Sequence, residues 1–397
     1  MKRGQSYSVP GFLASASSCG LGKEGELDLS LIVSQKRAVA AGVFTTNRIK
    51  AAPVVISQER IKKGFIRAIL ANTGCANACT GIQGLNDAVR TADHVAEHLH
   101  IDPSETVVAS TGVIGAYLPV ALIEGAIPGL IDTLSPYGFE SVAQSLMTTD
   151  SFPKISYREG TVLGKPYHLM GVAKGAGMIM PHMATMLSFL LTDIDIDSRS
   201  LSQIFSPAVD ATFNRVTVDG ETSTNDMALI LANGLAGNGE LDKMGLEAFE
   251  RDLHDVMADL AYMIAKDGEG ASKVVTIEVH GAATKGDAER AARTVANSIL
   301  VKTAIFGRDA NWGRIMAALG RAGIEIEEHK VQILISGIKI VDSGTMVGAE
   351  AEKAASEKMR GQEVTITIHL NQGRWKDRMI TCDLTYDYIR INADYRS

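Results

Sequence analysis

The chain has little cysteine, no long apolar run and no excess of positive charge, and each shortage removes a class of function. Four cysteines in 397 residues (Cys19, Cys75, Cys79 and Cys382) are too few and too scattered for a disulfide framework. They fit thiols kept reduced in the cytoplasm. Cys75-x3-Cys79 lacks a second ligand pair, so no zinc or other metal site is expected. No apolar stretch approaches the roughly 20 residues of a membrane-spanning helix. A net charge of −7 lacks the basic footprint of a nucleic-acid binder. There is no G-x-G-x-x-G for a dinucleotide. Gly160-Thr-Val-Leu-Gly-Lys165 has the wrong spacing for a phosphate loop and is followed by Pro166. Lys2 and Arg3 precede a run of small residues, but Pro10, Gly11 and polar neighbours stand where an export signal needs apolar ones, so none is expected. Repeats, low-complexity tracts and Pro/Ser linkers are missing too.

What is present reads as an α/β protein. At 397 residues the chain exceeds one typical core, and two lobes are expected. Its composition, 46% apolar and 21% charged, is that of a folded globular chain. Short β-rich runs alternate with helical ones. Strands are expected over 51–56, 67–71, 105–109, 273–280, 331–335, 363–369 and 378–391. Helices are expected over 85–100, 241–267 and 287–301. In the first of these helices Leu85, Val89, Ala92, Ala96 and Leu99 fall on one face.

The stretch richest in chemistry is Lys174-Gly-Ala-Gly-Met-Ile-Met-Pro-His-Met-Ala-Thr-Met-Leu187. A glycine-bearing approach runs into an apolar segment over 186–191, broken only by Ser188. A chain that cuts itself between Ala184 and Thr185 and then uses the new N-terminal threonine as a nucleophile has this form. The hydroxyl is weak at its own pKa, and the freed α-amine supplies a base on the same residue. Read locally, the same residues also fit a loop entering a buried strand, the commoner case. Thr111-Gly112 follows the strand expected over 105–109. The pair either ends that strand in a turn or offers a hydroxyl and an N–H to a developing oxyanion. Lys174, eleven residues before Thr185, is either a solvated loop lysine or a cation that keeps a nearby amine neutral and meets a carboxylate. Asn225-Asp226 and Arg308-Asp309-Ala-Asn311-Trp312 are dense in polar groups, suited equally to a site and to a buried structural network. His94-Val-Ala-Glu97-His98 has the H-x-x-E-H spelling of a zinc hydrolase. Wheel angles place both histidines opposite the apolar stripe, which suits a solvated face better.

Several segments together carry a family resemblance. Lys174–Leu187 resembles the cleavage-site signature of the glutamate N-acetyltransferase / ornithine acetyltransferase family of arginine biosynthesis. Asn72-Thr-Gly-Cys-Ala-Asn-Ala-Cys-Thr-Gly81, Ala109-Ser-Thr-Gly-Val-Ile-Gly115 and Met147-Thr-Thr-Asp150 resemble further segments, as do 218–226, 305–314 and the tail 382–397. They follow the family's order over nearly the whole chain.

The resemblance implies a layered α–β–β–α architecture and self-cleavage into an alpha chain, 1–184, and a beta chain, 185–397. Two such pairs would form a heterotetramer. It implies Thr185 as nucleophile, Thr111 and Gly112 as the oxyanion hole, and Thr148, Lys174, Thr185, Glu269, Asn392 and Ser397 as substrate contacts. The reaction implied is ping-pong: acetyl passes from N2-acetyl-L-ornithine to Thr185, then to L-glutamate, without a cofactor. Acetyl-CoA stays open as a further donor. Two departures from the family pattern are His182, commonly Asn, and Ser397, often Thr. The alternatives are a related self-processing amidohydrolase or aminopeptidase, in which water takes the acyl group, and a catalytically silent binding protein.

Overall fold

The computed structural model describes residues 7–22, 25–180 and 186–394. The chain forms two compact units: one runs through residue 214 and takes in Glu221–Leu260, and the other comprises Arg215–Gly220 and the chain from 261 onward. This boundary does not follow the expected cleavage point, which is a chemical division of the chain and not a division of its packing.

The first unit is built on one continuous eight-stranded sheet. Its strands are β1 (Phe12–Ser17), β2 (Leu29–Phe44), β3 (Phe65–Asn72), β4 (Thr106–Ser110), β5 (Lys154–Val162), β6 (Lys165–Lys174), β7 (Leu187–Thr192) and β8 (Met227–Ala232). The order is β4-β3-β2-β8-β7-β6-β5, with β1 added on β2. β2 is 16 residues long and changes register between Val33 and Ala38. Its first half pairs with β1 and its second half with β8, so the strand serves both ends of the sheet. One face of both ends is apolar and turned inward: Ile32, Ile69 and Val107 from one end, Val172, Phe189 and Leu229 from the other, share a single core.

Helices cover the outer faces. α1 (Ala52–Ile61), α2 (Gly81–Leu99) and α3 (Val120–Asp132) lie over the β2–β4 end, where Leu31, Leu70 and Val108 meet Ala92, Val95 and Ile127. α4 (Phe139–Ser145) closes the inner core with Phe139 and Val142. α5 (Ser198–Ala211) packs on β2. α6 (Lys243–Lys266) lies over β6, where a Cβ on Gly171 would sit 2.7 Å from Leu260. The result is the expected helix–sheet–sheet–helix layering.

The second unit holds a six-stranded sheet, order β12-β11-β10-β13-β9-β14. Its strands are β9 (Val274–Ala282), β10 (Gln332–Ile335), β11 (Ile338–Asp342), β12 (Thr345–Met346), β13 (Glu363–His369) and β14 (Trp375–Cys382). α7 (Lys285–Ala296), α8 (Ile299–Phe306), α9 (Trp312–Gly320) and α10 (Ala349–Lys358) pack with the sheet around a second core of Ile277, Ala292, Ile315 and Ile366. α11 (Tyr386–Asp394) follows β14.

Three expectations need correction. Residues 51–56 are not a strand but the start of α1, because Pro53 fits the first turn and Val54 and Ser57 are buried on one helical side. The helix expected over 287–301 is two, because Ser298 caps the N-terminus of α8, accepting from the Val301 N–H at 3.4 Å. The strand expected over 378–391 ends at Cys382 and gives way to α11.

Candidate active site

Strand register gathers residues that are distant in sequence. Lys174, the last residue of β6, pairs across the sheet with Leu187, and Leu187 pairs on its other side with Met227. Lys174 therefore stands beside the strand that begins two residues after Thr185. Pro181, His182, Met183, Ala184 and Thr185 lie outside the described residues, as does Ser397. The chain is described up to residue 180 and again from Met186, so both approaches to the Ala184–Thr185 bond are defined.

On the approach side sits a buried charged network. Asp150 Oδ1 accepts from Lys154 Nζ at 2.6 Å and from the Gly175 N–H at 2.7 Å, and its Oδ2 accepts from the Thr148 N–H at 3.0 Å. Lys174 Nζ donates to Thr148 Oγ1 at 3.3 Å. Burial pushes the Asp150 carboxyl up. The Lys154 and Lys174 charges and the hydrogen bonds outweigh it and hold the carboxyl below the ordinary carboxylate value. One acid thus fixes both Thr148 and the Lys174–Gly175 corner.

On the exit side Met186 is held at both of its backbone groups. Its N–H donates to Asp226 Oδ1 at 3.1 Å, and its carbonyl accepts from the Met227 N–H at 3.2 Å. Asp226 is 1% exposed. Burial dominates its titration and raises the carboxyl well above its usual value, against the opposing pull of Lys174, the Met186 N–H and the hydroxyls of Ser223 and Thr45. Its Oδ2 is buried with no hydrogen-bond partner among the described residues.

The Thr111-Gly112 pair leaves the end of β4. The Thr111 N–H donates to the Asn72 carbonyl at 3.0 Å, and the Val113 N–H to the Gly74 carbonyl at 3.2 Å. Gly112 has φ +126°, and a Cβ there would lie 2.3 Å from the Gly74 carbonyl carbon, so only glycine fits. No hydrogen bond holds the Gly112 N–H or the Thr111 hydroxyl among the described residues. A fixed N–H without a protein acceptor is what an oxyanion hole requires.

Two asparagines frame this pair. Asn72 Oδ1 accepts from Ser110 Oγ at 2.6 Å, and its Nδ2 donates to the Cys75 carbonyl at 2.9 Å. Asn225 Nδ2 donates to the carbonyls of Ala76 at 2.7 Å and Ser110 at 2.9 Å. Sequence reasoning gave no role to Asn72, Asp150 or Lys154, and it left Asn225-Asp226 as an unassigned polar pair. The signal available was that Asn72 opens, and Asp150 closes, a segment carrying the resemblance.

In the second unit Glu269 and Asn392 meet: Asn392 Nδ2, on α11, donates to Glu269 Oε2 at 2.7 Å. Glu269 is 8% exposed. The His94/His98 pair lies on the outer side of α2, with ring centroids 4.4 Å apart. Among the described residues no cluster of three potential metal ligands occurs, and no helix is long and apolar enough to cross a membrane.

Known proteins resemble the chain along its length. The ArgJ family profile matches residues 13–397. The arginine biosynthesis bifunctional protein ArgJ of Desulfotalea psychrophila is 49% identical over 392 residues, covering 98% of this chain and 100% of that protein. The ArgJ of Geobacter sulfurreducens is 47% identical over 391 residues, with 98% and 100% covered. The crystal structure of ArgJ from Bacillus halodurans is 42% identical, covers 51% of this chain and 96% of that one, and superposes with a TM-score of 0.49. Near-complete coverage by the family profile, and by relatives at almost half identity, places the protein in the ArgJ family.

Proposed function

We propose that the protein is a self-processing acetyltransferase of arginine biosynthesis, moving acetyl from N2-acetyl-L-ornithine to L-glutamate through an acetyl ester on Thr185. The observation that carries this reading is the open Gly112 N–H, locked in place at the end of β4 with the Thr111 hydroxyl beside it. Membership of the ArgJ family supplies the substrate class.

The chemistry runs in two phases. In maturation, Thr185 Oγ attacks the Ala184 carbonyl carbon and the C–N bond breaks. The acyl group shifts from nitrogen to oxygen, and water hydrolyses the resulting ester. The products are an Ala184 carboxylate and a Thr185 with a free α-amine. In turnover, that amine takes the Oγ proton as the oxygen attacks the acetamide carbonyl. The Gly112 N–H and the Thr111 hydroxyl hold the oxyanion. Collapse expels ornithine, which leaves with the proton, and the α-amine of glutamate then takes the acetyl group from the ester. One acetamide replaces another, so the exchange needs little driving force and no cofactor. Acetyl-CoA, a thioester, is a more reactive donor to the same hydroxyl.

Lys174 serves the nucleophile by charge. Its ammonium favours a neutral α-amine close by. Thr148, Lys174 and Asn392 take the substrate's carboxylate end, Glu269 pairs with the δ-ammonium, and Ser397 completes the contacts. The two cleaved chains stay joined because β7 and β8 are inserted between β2 and β6 of the other piece. Two such pairs form a heterotetramer, working in the cytoplasm.

Intact mass measurement of the wild type beside Thr185→Ala tests the reading. Two fragments divided at Ala184–Thr185 in the wild type alone are expected. One uncut chain in both would overturn it. For the substrate roles, Glu269→Gln is expected to raise KM for acetylornithine while leaving self-cleavage unaffected. Equal losses in both would remove that assignment. Acetylated glutamate, rather than free acetate, excludes a plain amidohydrolase.

A further inference from the structure

Asn225 and Asp226 are neighbours in the chain, yet their side chains engage two separate parts of the site. Asn225 Nδ2 binds the carbonyl of Ser110, next to Thr111-Gly112, and that of Ala76. Asp226 Oδ1 binds the N–H of Met186, which belongs to the peptide joining Met186 to Thr185. Consecutive Cα atoms are about 3.8 Å apart, so one rigid peptide separates the two anchor points.

Apart from Asp226 Oδ2, the side-chain polar atoms of this dipeptide are all engaged. Asn225 uses both amide hydrogens, its Oδ1 accepts from Thr224 Oγ1 at 2.6 Å, and its backbone N–H donates to Ser223 Oγ at 3.0 Å. The Asp226 carbonyl accepts from the Thr45 N–H at 3.0 Å. β8 begins at the next residue, held between β7 and β2. Both residues are buried, Asn225 at 5% and Asp226 at 1% exposure, so the network stands in a low-dielectric setting where satisfied polar contacts specify one geometry.

We propose that Asn225 and Asp226 act together as positioning residues, a two-residue bracket that sets the segment carrying the nucleophile at a fixed distance from the oxyanion donors. This deepens the function proposed above and rests on it. A fixed distance matters because a misplacement of about 1 Å costs roughly 100-fold in rate. The role of Asp226 here is that of a hydrogen-bond acceptor and needs no charge. Asparagine, which keeps an oxygen and the shape, should therefore stand in for it.

The test follows freshly translated full-length precursor by intact mass over time, then measures kcat and KM on the matured enzyme. Asp226→Ala is expected to slow self-cleavage about 100-fold, and Asp226→Asn to recover most of that loss. Asn225→Ala is expected to lower kcat at least about tenfold with KM for acetylornithine unchanged. An Asp226→Ala precursor that cuts at the wild-type rate overturns the bracket. So does Asp226→Asn as slow as Asp226→Ala, which would make charge the operative property. An Asn225→Ala enzyme with unaltered kcat per folded molecule overturns it too. Should Asp226→Ala not fold, the other two variants decide. A wild type that never cuts removes the nucleophile reading itself, whereas a cutting wild type beside an equally fast Asp226→Ala removes the bracket alone.

Discussion

Asp150 and Asp226 are both buried acids that feel the charge of Lys174, yet the carboxyl of the first is held below the ordinary carboxylate value and that of the second well above it. The difference lies in contact. Asp150 touches a second cation, Lys154, at 2.6 Å and accepts from two backbone N–H groups. Asp226 accepts from one N–H, and no cation touches it among the contacts described. Desolvation of a carboxylate is thus overcome by a touching lysine with hydrogen bonds, and not by a neighbouring charge alone. For the proposed function, the consequence is that the Lys174 charge acts on two acids shifted in opposite directions, beside the strand that follows Thr185.

The sharpest way to break this comparison is Asp150→Asn. Buried Lys154 would lose the carboxylate 2.6 Å from its Nζ, at a cost of up to about 3–5 kcal/mol. Denaturant unfolding should show a lower midpoint, with activity lost as Thr148 and Gly175 come free. The sign of the pH effect follows from the lowered carboxyl. The wild type keeps the pair's stabilisation above the ordinary carboxylate value of about 4 and loses it as pH falls through the depressed one. The gap between wild type and variant should therefore narrow in acid. A variant as stable as the wild type at pH 7 would show that Asp150 is not the ion the network needs.

Next in size is Gly112→Ala. The added Cβ would meet the Gly74 backbone at 2.3 Å, and φ +126° is strained for alanine, at about 1–3 kcal/mol. Because Gly74 cannot retreat without disturbing Leu21, whose carbonyl oxygen lies 2.3 Å from where a Gly74 Cβ would be, the Gly112 N–H must move. kcat is expected to fall about 100-fold or more, with a smaller change in KM. Unchanged turnover would take the Gly112 N–H out of the oxyanion hole.

How much of this was legible in the sequence depends on the range over which each feature is fixed. β13 came out as expected over 363–369, because its alternating burial is written in its own residues. Residues 51–56 misled: Val54, Val55 and Ile56 favour a strand, but Pro53 and the bond from Ser57 Oγ to the Val108 carbonyl at 2.7 Å decide for a helix, and the second of these is tertiary. Tyr386, Tyr388 and Ile389 likewise have strand-like side chains inside α11. In the site, the local pattern leaves Thr111-Gly112 and Lys174 open, and only the family resemblance gives them roles. The roles of Asp150, Asn72 and Asn225 could not be named, since a buried polar residue is defined by partners elsewhere, as Asn225 is by Ser110, 115 positions away.

The smallest effect, and the one of opposite sign, is expected from Asp226→Asn. Asp226 has a raised carboxyl, so the native state is penalised for ionising it: stability is full below the unfolded value of about 4 and declines as pH rises toward the raised native one. Asparagine cannot ionise and escapes that decline. Near pH 4 the variant should unfold within about 1 kcal/mol of the wild type, since each places an uncharged group beside the Met186 N–H. Between pH 5 and pH 8 the variant should become the more stable of the two, where Asp150→Asn over the same range stays less stable than wild type. Tm measured across that range for both variants reads the contrast directly. Two curves sloping the same way relative to wild type would mean that the two carboxyls are shifted in the same direction.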